Sequence, residues 1–228
     1  MNPPSESPAS FTWDQVSGFR LARQGLLCPS GHDPVSAASR TAGVHAQVMS
    51  CAELAISLRT ESVRRSAVAE CLWERHTLLK MWAMRGTLHL LPAGEIGLWS
   101  SALSTHRHFM AEAWMAYLGL ESSDVAAMIE AVRVALDGRT LTREELAAEM
   151  AAAAGNELAR QHLRSGWGSL LKPASYRGYL CFGPNRGRNV TFTSPAALIG
   201  PWQPWEDDQA IKEAARRYLR TYGPATTR

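Results

Sequence analysis

A histidine and a glutamine stand two positions apart in the segment Gly43-Val44-His45-Ala46-Gln47. Imidazole changes charge near neutral pH and can take up or release a proton, while a carboxamide carries both an acceptor and donors. In an extended chain positions i and i+2 point to the same side, so His45 and Gln47 can face one water molecule; on a helix they diverge. Taken alone, such a pair beside a helix start is an ordinary local hydrogen-bonding feature. Other chemistry is not indicated. Cys28, Cys51, Cys71 and Cys181 are far apart and form no CxxC pair, so they are read as reduced structural thiols rather than a zinc or redox site. His106 and His108 flank Arg107, but no third ligand follows at metal-binding spacing, and no metal or other cofactor is expected. Lys80 and Lys172 are the lysines considered for a Schiff base, and nothing in the sequence around them indicates the lowered pKa that role needs.

Basic residues are unevenly spread. Net charge over 228 residues is only +3, yet the stretch from Glu157 to Val190 holds Arg160, Arg164, Lys172, Arg177, Arg186 and Arg188 against Glu157 alone. Interleaved with Trp167, Tyr176, Tyr179 and Phe182, that surplus suits a polyanion. The aromatic residues Trp73, Trp82, Trp99 and Trp114 are read as core. The first residues, MNPPSESPA, lack the basic start and apolar run of a signal peptide, and residues 1–11 are expected to be a disordered tail. No stretch approaches the roughly 18 apolar residues of a membrane span. A monomeric cytoplasmic protein without membrane attachment is expected.

The elements that must position these residues follow from capping and periodicity. Thr12-Trp13-Asp14-Gln15 is a capping box opening a helix to about Gly25, with Trp13, Val16, Phe19 and Leu21 near one face. Asp33-Pro34 starts a second helix, Ser50-Cys51-Ala52-Glu53 a third running to about Arg59, and Ser66 to Arg75 forms a fourth. Leu79 to Met84 and Thr87 to Leu90 then read as strands around Arg85-Gly86, with Gly86 supplying positive φ. Helices followed by a hairpin make a winged helix. The pattern recurs with helices near Ser123 to Leu136, after Thr142 with Glu145 completing its cap, and around Leu158 to Leu171. A second hairpin pairs Tyr179 to Phe182 with Val190 to Phe192 across the loop Gly183 to Arg188. One or two helices over Ala93 to Leu120 join the units, and a last helix covers Asp208 to Thr221. The reading is mainly α with small β-hairpins, in tandem winged-helix modules: winged helix 1 over 12–91, a helical linker over 92–122, winged helix 2 over 123–200, and the start of an incomplete third over 201–228.

Four strings stand in order: Gly43-Val44-His45-Ala46-Gln47; Lys80-Met81-Trp82-Ala83-Met84-Arg85-Gly86-Thr87-Leu88-His89; Gly178-Tyr179-Leu180-Cys181-Phe182-Gly183-Pro184; and Arg217-Tyr218-Leu219 with Tyr222-Gly223-Pro224-Ala225-Thr226. Together they resemble the winged-helix DNA-glycosylase family of the AlkZ and YcaQ type over residues 12 to 228. The resemblance implies a bacterial protein with three tandem winged helices and a C-terminal β-barrel, so the chain reads as C-terminally shortened. It also implies excision of N-alkylated bases, including bulky or crosslinked ones and natural-product adducts, from double-stranded DNA. The family's catalytic motif, glutamine, hydrophobic residue and a second glutamine or aspartate, falls on His45, Ala46 and Gln47. Histidine thus replaces the first glutamine, as it does in branches associated with resistance to DNA-alkylating natural products.

The chemistry so implied needs little acid. A purine alkylated at N3 or N7 is already a cationic leaving group, so the enzyme chiefly holds a water near C1′ and favours the oxocarbenium-like state with placed dipoles. Gln47 would orient that water, and His45 would accept its proton or donate a hydrogen bond. The reaction expected is monofunctional hydrolysis. DNA contacts are expected from Lys80, Arg85, Thr87 and His89 of the first hairpin, the last two on a polar face, and from Lys172, Arg177, Arg186 and Arg188 of the second. The alternative is a non-catalytic winged-helix DNA-binding protein, a transcription regulator or a drug-sequestering one.

Overall fold

The computed structural model describes residues 10–29, 31, 33–64, 66–106, 111–118, 120–154 and 169–225. The expected helix over Leu158 to Leu171 lies outside these residues except for its last three, and with it Glu157, Arg160, Arg164 and Trp167. Arg107, His108, Thr226 and most of the N-terminal tail lie outside them too.

Side-chain caps set several helix starts. Helix α1 (Trp13–Arg23) opens on the Thr12/Gln15 capping box, and α2 (Pro34–Arg40) on Asp33, whose carboxylate accepts from the N–H groups of Val35 and Ser36. The chain then forms β1 (Val44–His45) and α3 (Met49–Ser57). Here the structure corrects the Ser50 cap. Helix α3 starts two residues earlier, behind Val48, which makes no side-chain capping bond. The cause is local: Ala46 N–H is already held by the Leu88 carbonyl at 2.7 Å, so the chain turns directly off the strand and Ser50 falls inside the first helical turn.

Helix α4 (Ala67–Trp73) leads into β2 (Leu78–Trp82) and β3 (Leu88–Pro92). Arg85 and Gly86, at φ 57° and 69°, make the two-residue turn between the strands, closed by Thr87 N–H on the Met84 carbonyl at 3.3 Å. Both central residues are left-handed, the twist-matching geometry for a hairpin. The sheet order is β1-β3-β2, all antiparallel. Helices α5 (Ile96–Ser104) and α6 (Glu112–Leu118) follow.

A second unit repeats the arrangement: α7 (Ser122–Ala135), β4 (Leu141–Thr142), α8 (Arg143–Ala154), α9 (Lys172–Tyr176), β5 (Cys181–Arg186) and β6 (Asn189–Thr193), with sheet order β4-β6-β5. Thr142 and Glu145 exchange capping bonds at 3.3 and 2.7 Å. The expected loop Gly183 to Arg188 is mostly strand, turning only at Gly187 and Arg188. A bulge between Gly183 and Arg186 absorbs Pro184, which has no N–H to give, and its carbonyl accepts from the Thr191 hydroxyl at 2.7 Å. Helices α10 (Pro195–Ile199) and α11 (Asp207–Tyr222) end the described chain.

Three apolar clusters hold these parts together. One lies inside the first unit, around Val44, Ala46, Ile56, Leu72, Leu78 and Leu90. A second brings Trp82 and Leu88 of the first sheet into the core of the second unit, where the Trp82 ring lies 5.0 Å from Phe182 and 6.0 Å from Phe192. The Ser175 hydroxyl donates to the Trp82 carbonyl at 3.3 Å and lies 3.2 Å from its N–H. The third packs β2 and β3 against α5 and α11. The apolar face expected for α1 is not buried: Trp13 is 79% exposed. Instead Arg20 ties the helix down, its guanidinium donating to the carbonyls of Tyr222 at 3.1 Å and Pro224 at 3.3 Å. Cys28 and Cys51 are exposed, Cys71 and Cys181 buried, all free; burial raises the pKa of the Cys181 thiol.

Candidate active site and its relatives

Strand β1 is an edge strand that ends at His45; His45 is exposed on it, Ala46 just beyond is fully buried, and Gln47 is exposed in the bend that leads into α3. Exposure alternates out, in, out along His45-Ala46-Gln47, so both polar side chains reach solvent. Ala46 is the anchor: its methyl enters the first unit's core and its N–H binds Leu88. Gln47 Oε1 accepts from the Leu88 N–H at 3.4 Å. A carbonyl oxygen has two lone pairs, so one remains for water and the amide N–H groups stay available as donors.

His45 stands directly opposite His89 in the β1–β3 register, their ring centroids 5.6 Å apart and nearly perpendicular. His89 is therefore not the solvent-facing wing residue expected from sequence; it is 4% exposed. The reason is that β3 is the central strand, covered on both faces, so the Leu-His-Leu alternation marks no polar side. The His89 Nδ1 lies 3.1 Å from the Thr87 carbonyl. Burial holds its pKa below the ordinary imidazole value, with the Thr87 bond acting the other way and His45 and Arg85 adding repulsion toward a cation.

This has a consequence for stability. Native His89 resists a proton that the unfolded chain accepts, so stability is retained above the unfolded value and lost as pH falls below about 6.5. His89→Phe is expected to flatten the acid limb of the unfolding free energy below about pH 6.5, measured by urea titration at stepped pH. An unchanged limb would assign that loss to other groups.

The remaining expected contacts divide. Arg85 is exposed on the first turn, and Lys172 joins it there: its Nζ lies 3.3 Å from where a Cβ on Gly86 would stand. Thr87 is partly buried and its hydroxyl donates to the Met84 carbonyl at 3.2 Å, which closes the turn rather than facing outward. Lys80 is turned away from the tip, with its ammonium 5.2 Å from the centre of the Phe182 ring and burial lowering its pKa. Arg177 is exposed beyond α9. Arg186 and Arg188 are exposed at the second hairpin, but Arg186 is already paired with Glu145 at 3.0 Å and donates to the Thr140 carbonyl at 3.0 Å. Among the described residues no three metal-ligating side chains gather, and no helix is long and apolar enough to cross a membrane.

Sequence reasoning missed the clamp behind β1. The Thr221 hydroxyl donates to the Arg40 carbonyl at 2.7 Å and the Tyr222 hydroxyl to the Thr41 carbonyl at 3.0 Å, fixing the chain just before the strand. No local signal marks this contact between residues 181 apart in sequence.

The chain matches the family described as DNA glycosylase AlkZ-like over residues 38–228. It is 41% identical over 220 residues to an interstrand DNA cross-link repair glycosylase of Streptomyces sahachiroi, covering 94% of this chain and 58% of that protein. Its fold superposes on the structure of the Streptomyces sahachiroi DNA glycosylase AlkZ with a TM-score of 0.88 at 39% identity, over 96% of this chain and 59% of that one. The chain thus spans somewhat under three fifths of the length of the relatives it matches. With a family match over most of its length and 41% identity over 220 residues to a DNA glycosylase, this chain belongs to the AlkZ-like DNA glycosylase family.

Proposed function

We propose that the chain hydrolyses the N-glycosyl bond of bulky N-alkylated purines in double-stranded DNA, without a cofactor. The relative's role in interstrand cross-link repair extends the range to unhooking crosslinks. The observation that carries the reading is that His45, at the end of the edge strand, and Gln47, in the bend just beyond it, are both exposed, with Ala46 buried and anchored to Leu88 between them. Gln47, fixed through Leu88, aims a lone pair at water. His45 takes the proton as that water adds to C1′ while the alkylated base departs with the bonding electrons. His89 braces the His45 ring edge to face. A burst of free base and abasic sites from DNA carrying N7-alkylguanine is the expected result. A shift of the DNA without released base would instead make this a binding module.

The two units are proposed to act as tandem winged helices over 12–91 and 123–200, linked by 92–122, with 201–228 opening another. Support comes from the repeated order of a short strand set among helices and then a hairpin, the three strands pairing in an antiparallel sheet whose last two form the wing. Arg85, Lys172, Arg177 and Arg188 then meet phosphates. Because Arg186 is committed to Glu145, Arg188→Gln is expected to reduce the salt-dependence slope of binding by about one unit, and Arg186→Gln by less. Fluorescence anisotropy at stepped salt measures this; a slope unchanged in Arg188→Gln contradicts the phosphate role.

A further inference from the structure

The segment that carries His45 and Gln47 is lightly held by its own sheet. Strand β1 pairs with β3 over only two residues, Val44 with Leu90 and His45 with His89, and the Ala46 N–H adds one bond beyond them. A strand so short depends for its placement on what grips its ends.

Only Thr41, Ala42 and Gly43 separate it from α2. They form a Schellman-type turn, in which Gly43 N–H donates to the Ala38 carbonyl at 2.8 Å and Ala42 N–H to the Ser39 carbonyl at 3.1 Å. Ala42 sits there at φ 54°, a left-handed position that favours glycine. Strain of that kind persists only where the surroundings fix the chain. The turn is a short, fully bonded link, and a shift of α2 is passed to β1.

One carboxylate joins α2 to α5 and α11. Glu95 lies just past β3, the strand on which β1 pairs. Its Oε1 accepts from the Ser39 hydroxyl of α2 and its Oε2 from the Trp99 indole N–H of α5 at 3.0 Å. Oε2 is also ion-paired with Arg217 of α11 at 2.6 Å, and Arg217 Nε donates to Glu213 at 3.0 Å. The Glu95 side chain is only 16% exposed, so solvent screens these contacts weakly. Ser39 thus holds the turn through its carbonyl and is itself held through its hydroxyl.

We infer that Glu95 is a positioning residue for base excision: through Ser39 it sets α2, and through the turn after α2 it sets His45 and Gln47 against β3. The role in excision rests on the glycosylase reading; the hold on β1 does not.

Ser39→Ala removes one hydroxyl and leaves Trp99 and Arg217 on Glu95, while Glu95→Gln keeps the size and gives up the charge facing Arg217. Each is expected to slow single-turnover release of N7-methylguanine from duplex DNA about tenfold, the scale of a modest misplacement of reacting groups. DNA affinity is expected to stay within about twofold of wild type. In a Gln47→Ala background Ser39→Ala is expected to cost nothing further, because both act on one step. A general loosening of the fold would weaken DNA binding as well, and would slow the Gln47→Ala chain as much as the wild type. Undiminished release in both variants, a matching loss of affinity, or full additivity with Gln47→Ala overturns the assignment. If Glu95→Gln does not fold, Ser39→Ala decides alone.

A second arm reads the hold on β1 by amide hydrogen exchange, with no DNA present. In Ser39→Ala the N–H groups of Gly43 and Ala46 are expected to exchange about tenfold faster, while the β2–β3 ladder keeps its wild-type protection. Unchanged exchange at Gly43 and Ala46 rejects the tie. If the wild-type chain releases no base, the glycosylase reading fails while exchange still decides whether Glu95 holds β1.

Discussion

Gln47→Ala is expected to slow base release by about 100-fold or more while DNA affinity stays nearly unchanged, and His45→Ala to do the same. The two side chains are exposed, His45 at the end of β1 and Gln47 in the bend beyond it, and carry none of the core, so their loss leaves the core intact. Both act on one water, and effects on a shared step do not add: the double variant is expected to be little slower than the worse single one. Single-turnover release of N7-alkylguanine, with anisotropy for binding, separates the two quantities. Undiminished release by both single variants would remove them from the chemistry. A parallel loss of affinity would instead make them DNA contacts.

The largest effect on stability is expected from Gly97→Ala in α5. A Cβ there would stand 2.1 Å from the Gln203 carbonyl oxygen, and a backbone atom cannot swing aside as a side-chain end does. The segment around Gln203 must lift from α5, which also endangers the bond from Trp205 N–H to the Ser101 hydroxyl, 3.0 Å in the native fold. Overpacking plus that bond amounts to about 2–4 kcal/mol. For a chain of this size each kcal/mol lowers the unfolding midpoint by about 2–4 °C. A scanning thermal melt checks this, and a midpoint within about 2 °C of wild type would show that the segment gives way freely. Gly43, which sits at φ 98° two residues before His45, is a contrasting case. Its close neighbours are the ends of the Leu91 and Met84 side chains, which can yield, so backbone strain is the larger part of its cost.

Features written in short stretches of sequence were legible in advance. The capping boxes at Thr12 and Thr142, the Asp33 cap and the Arg85-Gly86 turn each depend on residues within four positions of one another, and periodicity located α7 and α11 within a residue or so. Of the candidate pair, His45 falls on a strand, as an extended segment requires, while Gln47 falls in the bend beyond it. Ser50 misled because strand pairing at Ala46 outweighed a cap. The wing alternation misled at His89 because burial on the second face of β3 comes from elements distant in sequence, which no local pattern reports. Lys80 and Arg186 carry the expected charge, but Phe182 and Glu145, brought close only by folding, now engage them.

The bonds from Thr221 and Tyr222 to the carbonyls of Arg40 and Thr41 bear on the order in which the molecule is completed during translation. The ribosome makes His45 and Gln47 early, but the groups that brace the peptide leading into them emerge some 180 residues later. A nascent chain halted before Thr221 therefore carries the motif without its latch, and competence is acquired only once α11 has emerged.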